Sequence, residues 1–235
     1  MSQRIPKIIH QSWKDEHIPY DIYRKHWVDS WKLVYPDWTW KFWTDADNDA
    51  LVRTHYPIFY RFYRSLTPNI KKADFSRFLY MHQYGGVYVD LDFMALKHLG
   101  PLLAEYDVVL GKLSDDNDYY QIPNAFMAST PGLDFWLKTA RDAMHAPPHE
   151  RSVEKHAGPF RLQWAFYKYQ PANAIVYSDT LIYPFDWIHF THWENKRYFR
   201  ADRMHLAQRL ASQSMEEIAA IFPQAYCLTF WTSNW

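Results

Sequence analysis

The ten residues Tyr84–Phe93, YGGVYVDLDF, join a helical pattern to a strand pattern through two glycines. Residues 67–83 before them carry apolar side chains at helical spacing, with Thr67 placed to cap the helix and Pro68 in its first turn. Residues 87–93 predict a buried strand. A helix that passes directly into a strand through a glycine turn predicts an α/β layered fold.

The same alternation of strand and helix continues along the chain. Strands are predicted at residues 7–10, 38–43, 87–93, 107–110, 174–177 and 226–230. Helices are predicted at residues 20–34, 46–54, 58–65, 67–83, 133–144, 160–169 and 214–221. This order predicts a single α/β domain over residues 1–235 with a mainly parallel central sheet, and ligands bind such sheets at the carboxyl ends of the strands.

Charge and cysteine content exclude several classes of function. The chain has 26 basic and 26 acidic residues, so we expect no nucleic-acid partner. The single cysteine, Cys227, cannot form an internal disulfide, which favours a reducing compartment. The opening residues lack the apolar core of a secretion signal, and no apolar run approaches ~18 residues. We therefore expect a cytoplasmic protein without a transmembrane segment, which leaves room for peripheral contact with a membrane.

Two carboxylates, Asp90 and Asp92, stand at the end of the predicted strand 87–93. Alternate side chains of a strand share one face, so both aspartates are expected to point the same way. Neighbouring carboxylates repel each other unless a cation lies between them, and Mn²⁺ or Mg²⁺ prefers such oxygen ligands. The alternative is a pair of strand-end aspartates that face solvent. No cysteine and histidine spacing indicates zinc.

The preceding helix carries Asp74 and Arg77 three residues apart, on one face. One interpretation is a surface ion pair worth at most ~1 kcal/mol. The other is that this face lines the same cleft as Asp90 and Asp92, where Arg77 contacts a phosphate or a sugar hydroxyl.

Residues 73–92, ADFSRFLYMHQYGGVYVDLD, resemble the signature of the DxD-containing sugar transferases. This group includes fungal α-1,6-mannosyltransferases, bacterial capsule and polysaccharide transferases and, more distantly, the glucosylating domains of bacterial toxins. Its other conserved segments are similar to residues 5–13 (IPKIIHQSW), 124–128 (NAFMA), 157–159 (AGP), 183–184 (YP) and 231–235 (WTSNW). The resemblance implies a GT-A fold, one Rossmann-like domain that transfers a hexose from a nucleotide-sugar donor to a glycan or other hydroxyl acceptor, as in polysaccharide biosynthesis.

The resemblance also assigns roles to residues. It implies that Asp92 binds Mn²⁺ (or Mg²⁺) directly, that Asp90 binds the metal and the donor ribose, and that Arg77 completes the catalytic set. Trp13 would stack on the nucleotide base. The implied donor-binding set is Ile9, Gln11, Trp13, Asp74, Arg77, Tyr88, Asp90, Asn124 and Trp235.

The last residues depart from the family pattern. The mannosyltransferase tail H-x-W-x-x-S-W places its histidine on Thr229 and its serine on Asn234, whereas the toxin-like tail S-x-W matches residues 233–235. Ser233 and Asn234 both remain candidates for the metal shell. The toxin-like match favours a UDP-sugar donor, and GDP-mannose is the alternative.

Members of the family retain the anomeric configuration, yet the sequence shows no clear carboxylate nucleophile. Asp179, Asp186 and Glu194 are candidates, with a surface or capping role as the alternative. We therefore expect a front-face reaction. Candidates for the acceptor side are His189, His192 and the loop 114–120 (SDDNDYY), each with a plain structural alternative.

Two other functions compete with the glycosyltransferase. A metal-dependent phosphotransferase or nucleotidyltransferase also uses paired aspartates, but no phosphate-cradling G-x-x-x-x-G-K-[ST] loop occurs. A non-catalytic carbohydrate-binding module would explain the many aromatic residues. It would leave the carboxylate pair and its arginine without a role.

Overall fold

The computed structural model describes residues 4–113, 121–147, 150–184 and 209–232. Within these residues a six-stranded sheet has the strand order β2-β1-β3-β6-β5-β7. Its strands are β1 Ile8–Ser12, β2 Thr39–Trp43, β3 Gly86–Val89, β5 Val108–Gly111, β6 Phe126–Ser129 and β7 Ala174–Tyr177. Only β6 runs antiparallel to its neighbours, which confirms the mainly parallel sheet. The strands β4 Phe93–Ala95 and β8 Cys227–Thr229 form a separate antiparallel pair.

Helices cover both faces of the central sheet. They are α1 Lys25–Val34, α2 Asp45–His55, α3 Pro57–Ser65, α4 Ile70–Gln83, α5 Gly100–Leu103, α6 Asp134–Met144, α7 Val153–His156, α8 Pro159–Tyr169, α9 Asp179–Ile182 and α10 Met215–Ile221. Strand β3 serves both layers, since Tyr88 packs into the core beneath α4 and α6, and Val87 and Val89 pack into the core beneath α1 and α5. Among the described residues, no helix combines the length and the apolar character needed to cross a bilayer.

Two predicted helix starts are wrong. The helix predicted from residue 20 begins at Lys25, because Ile22 and Tyr23 form a turn onto the Pro19 carbonyl. The helix predicted from residue 67 begins at Ile70. Thr67 does not cap it, and a turn from Pro68 to Lys71 precedes it.

The predicted strand 87–93 is also wrong, because it is two strands in two sheets. Strand β3 ends at Val89, and the amide of Phe93 donates to the Asp90 carbonyl at 3.1 Å to close a turn. Phe93 then begins β4 and pairs with Thr229. Aspartate is poorly tolerated inside strands and common in turns. Asp90 and Asp92 therefore come together through a turn and not through the alternation of one strand.

The glycine turn between α4 and β3 requires its glycines. Gly85 and Gly86 have φ angles of 61° and 89°, and a Cβ atom on Gly86 would lie 2.7 Å from the Ile8 carbonyl oxygen. We predict that Gly86→Ala lowers the free energy of unfolding by about 1–2 kcal/mol for the backbone conformation and by about 1–3 kcal/mol more for the clash. Denaturant unfolding of the variant and of the unmodified chain measures the sum of these two losses.

Gly132→Ala is the matched control. Gly132 has a similar φ of 77°, but a Cβ atom there would meet no atom within 4 Å. If the two alanine variants lose equal stability, the close approach of β3 to β1 contributes nothing.

Candidate active site

A cavity of about 220 Å³ opens beside the carboxyl ends of β1 and β3. The end of β1 contributes residues 12–14, and α4 contributes Ile70, Ala73 and Arg77. The turn after β3 contributes residues 90–92, and Thr232 closes the same wall from the far end of the chain. The sheet therefore places its ligand-sized cavity where parallel sheets usually bind ligands.

Arg77 connects two carboxylates of this site, the buried Asp74 and the partly buried Asp90. Its Nη1 lies 3.2 Å from Asp74 Oδ1 and its Nη2 lies 3.0 Å from Asp90 Oδ1. The guanidinium stands 4.7 Å from the centre of the Tyr88 ring, and Arg77 is only 3 % exposed. The surface ion-pair interpretation of Asp74 and Arg77 is therefore wrong. The pair is buried, and Arg77 still reaches the cavity.

Asp74 stands behind the cavity wall. Asn124 Nδ2 donates to Asp74 Oδ1 at 2.9 Å, and the Asn124 carbonyl accepts from Arg77 at 3.3 Å. Burial raises the pKa of Asp74 to about 6, although the charge of Arg77 and the hydrogen bond from Asn124 act in the opposite direction. These contacts hold Arg77 and Asp74 in one orientation.

Asp90 is the carboxylate between Arg77 and the cavity. Besides Arg77, its Oδ1 accepts from the Tyr88 hydroxyl at 2.7 Å. Burial raises the pKa of Asp90 to about 7, and the negative charge of Asp92 adds to the increase against the opposing effects of Arg77 and Tyr88. The positive charge of Arg77 and the hydrogen bond from Tyr88 therefore do not fully offset the cost of burying Asp90 in its ionised form.

Asp92 is held by residues from the far end of the chain. Its Oδ1 accepts from Thr229 Oγ1 at 3.0 Å, and its Oδ2 accepts from the amide and the hydroxyl of Thr232 at 2.9 and 3.1 Å. Burial raises its pKa despite these donors. Thr229 is the position on which the mannosyltransferase tail pattern, one of the two alternatives above, places its histidine. Sequence reasoning missed Thr232, because a single threonine carries no periodic or motif signal.

The donor set fits a hard divalent cation. Asp74 and Asp92 are buried and Asp90 is partly buried. Arg77 pairs with Asp74 and Asp90, so these four ionised groups carry a formal charge of about −2 that a divalent ion would neutralise. The described residues hold no cluster of three or more carboxylate, imidazole or thiolate groups placed for a metal. Two carboxylates with open positions suit an ion that shares its ligands with a diphosphate.

Trp13 contributes an aromatic ring to the cavity lining. The ring is partly exposed and makes an edge contact with Tyr23, with ring centres 5.2 Å apart. Of the predicted donor residues in the described part of the chain, Trp13, Arg77 and Asp90 line the cavity. The others stand behind it: Ile9, Gln11, Asp74, Tyr88 and Asn124 are buried. Gln11 supports the turn, since its Nε2 donates to the Asp90 carbonyl at 3.4 Å.

Several predicted residues lie outside the described part of the chain. They are Ser233, Asn234 and Trp235 of the tail, the nucleophile candidates Asp186 and Glu194, and the acceptor-side candidates His189, His192 and residues 114–120. Asp179 is described. It begins α9, its carboxylate accepts from the Thr180 amide at 2.9 Å, and it does not line the cavity.

Comparison with known proteins finds a family model and several relatives that are similar to parts of this chain. The family model for the glycosyltransferase sugar-binding region containing DXD motif matches residues 22–109. Mannosyl phosphorylinositol ceramide synthase CSH1 of Saccharomyces cerevisiae is 35 % identical over 146 residues, which cover 61 % of this chain and 36 % of that protein. The initiation-specific α-1,6-mannosyltransferase of Candida albicans is 32 % identical over 117 residues, 47 % of this chain and 30 % of that protein. The chain thus spans about a third of the length of these relatives.

The fold has a counterpart among solved structures. The PaToxG glycosyltransferase superposes with a TM-score of 0.55 at 20 % identity, over 70 % of both chains. At this identity the likeness concerns the fold. It confirms the GT-A architecture that the sequence resemblance implied. Residues 22–109 therefore match the DXD-containing glycosyltransferase family, and the relatives and the solved structure that the chain resembles are glycosyltransferases.

Proposed function

We propose that this chain is a metal-dependent glycosyltransferase that moves a hexose from a nucleoside diphosphate-sugar to a hydroxyl group of a glycan or another acceptor. The observation that carries the proposal is the cavity in which Trp13, Arg77 and the carboxylates Asp90 and Asp92 meet. An aromatic ring, a guanidinium and a cation-binding carboxylate pair match the base, the diphosphate and the metal of such a donor. The names of the relatives favour mannose as the sugar.

Each described side chain has a task in this scheme. Asp90 and Asp92 would hold Mn²⁺ or Mg²⁺, which supplies Lewis-acid neutralisation of the departing diphosphate. Arg77 binds a phosphate oxygen while Asp74 and Asn124 keep it in place. Thr229 and Thr232 fix both oxygens of Asp92, so that its orientation does not depend on the donor.

The stereochemical proposal is retention by a front-face reaction. The acceptor oxygen bonds to the anomeric carbon on the face from which the diphosphate leaves, the bond between that carbon and the phosphate oxygen breaks, and the acceptor proton passes to the leaving phosphate. Among the described residues, the one nucleophile candidate, Asp179, lies away from the cavity, which supports a reaction without a protein nucleophile. Proton NMR of the product tests this, because an inverted anomeric centre contradicts it.

The function itself is tested by release of nucleoside diphosphate from GDP-, UDP- and dTDP-hexoses in the presence and absence of Mn²⁺. We predict metal-dependent release and a loss of at least about 100-fold in rate for Asp92→Asn, because the amide carries no charge for the metal. Asp142→Asn is the matched control. Asp142 is a partly buried, hydrogen-bonded aspartate that pairs with Lys168 and does not line the cavity.

The same assay separates the two competing functions. A phosphotransferase or nucleotidyltransferase would move phosphate or the nucleotide and would leave no free sugar or glycoside. A carbohydrate-binding module would bind sugar with Asp92→Asn unchanged. Donor turnover that is the same with and without Mn²⁺, and the same in Asp92→Asn as in the unmodified chain, would refute the proposed function.

A further inference from the structure

The cavity has two chemically different ends. Helix α4 runs along it from Ile70 to Arg77, and seven residues of an α-helix rise about 10 Å. Arg77 marks the end where Asp90 and Asp92 lie. Ile70 marks the other end, where the cavity is lined by Asp45 and Asn69. About 10 Å is close to the distance between the base and the diphosphate of an extended nucleotide, so a donor with its diphosphate at Arg77 places its base near Asp45.

Asp45 is fixed beside the aromatic wall. Its amide donates to the carbonyl of Lys14 at 3.2 Å, and the amide of Trp13 donates to the carbonyl of Trp43 at 3.0 Å. These two hydrogen bonds keep the chain after β1 alongside the chain after β2, and both Trp13 and Asp45 line the cavity. Trp13 and Asp45 therefore lie on adjoining segments of the cavity lining, within reach of one bound nucleotide.

The Asp45 carboxylate has acceptor capacity to spare. Among the described residues, its hydrogen bonding is limited to Asn69 Nδ2 at 3.5 Å. The cap of α2 does not need it, since Thr44 and Asp47 form that capping box. Partial burial raises the pKa of Asp45, as expected of a carboxylate with few donors around it.

We propose that Asp45 is the residue that selects the nucleotide base of the donor, and that it favours guanine over uracil. The inference rests on the proposed function. A carboxylate only accepts hydrogen bonds. Guanine offers it two adjacent donors, N1–H and the 2-amino group, whereas the corresponding edge of uracil has one N–H between two carbonyl oxygens. Lys14, which also lines the cavity, can donate to guanine O6.

The test is the affinity of GDP, IDP and UDP in the presence of Mn²⁺, measured by titration calorimetry. IDP is guanosine diphosphate without the 2-amino group. For the unmodified chain we expect GDP to bind about 10- to 100-fold more tightly than IDP or UDP. In Asp45→Asn the side chain has one donor and one acceptor, which suit uracil. We expect the preference for GDP to fall by a similar factor and UDP to bind more tightly.

Asp49→Asn is the matched control, because Asp49 lies one turn further along α2 and its carboxylate contacts Arg64 and not the cavity. It should keep the GDP preference. The ratio of two affinities does not depend on how much of a variant is folded. Equal binding of GDP and UDP, or an Asp45→Asn variant with an unchanged ratio, overturns the role of Asp45 alone. If none of the three nucleotides binds with Mn²⁺, the proposed function fails together with this inference.

Discussion

Replacing Arg77 with methionine is expected to lower the free energy of unfolding by about 3–5 kcal/mol. Methionine fills similar space but removes the guanidinium that, among the described residues, contacts both Asp74 and Asp90. The two carboxylates are at most 16 % exposed in their side chains, so water cannot replace the lost charge. Denaturant unfolding at neutral pH without metal measures the loss.

Two further variants make this prediction specific. Arg64→Met removes an arginine whose side chain is 62 % exposed and which pairs with Asp49, and it should change stability by less than about 1 kcal/mol. Asp74→Asn in the Arg77→Met background removes one of the two uncompensated charges and should restore part of the stability. If Arg77→Met costs no more than Arg64→Met, the buried charges are compensated by something other than Arg77.

Lowering the pH from about 6.5 to about 4 is expected to cost about 3 kcal/mol of stability through His10 alone. His10 lies in β1, and its ring is buried. Its Nε2 contacts the Gly85 carbonyl at 2.8 Å, and its Nδ1 faces the indole Nε1 of Trp43 at 3.0 Å. Because an indole N–H only donates, Nδ1 must accept, and the ring is neutral with its proton on Nε2. Burial lowers the pKa of His10 to about 4, against an ordinary value of 6.5.

The sign follows from which state takes up the proton first. Between pH 6.5 and 4 the unfolded chain is protonated at His10 and the folded chain is not, so acid favours unfolding until the folded pKa is reached. The raised pKa values of Asp74 and Asp90 act in the opposite direction over part of this range. The measurement is therefore the difference between the unmodified chain and His10→Gln, from unfolding curves at several pH values. Parallel pH profiles for the two would contradict the role of His10.

Local patterns predicted much of the fold. The strand at residues 174–177 forms where its apolar residues and flanking turns indicate, and α2, α3, α6 and α8 lie within one residue of prediction at each end. These elements depend on spacing and on capping residues a few positions away. The prediction of one strand over residues 87–93 is wrong because Leu91 and Phe93 continue the apolar alternation of β3 beyond its end. The strand ends where pairing with β6 ends, at Val89 and Phe126, and no local pattern records that limit.

The residues of the candidate site also include some that local sequence predicts and some that it does not. Asp74, Arg77, Asp90 and Asp92 lie within one short segment whose spacing is a recognisable motif, so their clustering was predictable. Asp45 reaches the cavity through the register of β1 and β2, and Thr229 and Thr232 reach Asp92 through the pairing of β4 with β8. Such contacts depend on how distant strands align, which single residues of common type do not indicate.

The pairing of β4 with β8 also has a consequence for how the protein is made. Asp92 receives its hydrogen bonds from residues 137 and 140 positions later in the chain. While that length is still being translated, the carboxylate remains without its hydroxyl partners. The ribosome must therefore release most of the domain before the turn that carries Asp90 and Asp92 takes its final form, and a nascent chain interrupted before Cys227 would present a DxD motif that is complete in sequence but not yet fixed in space.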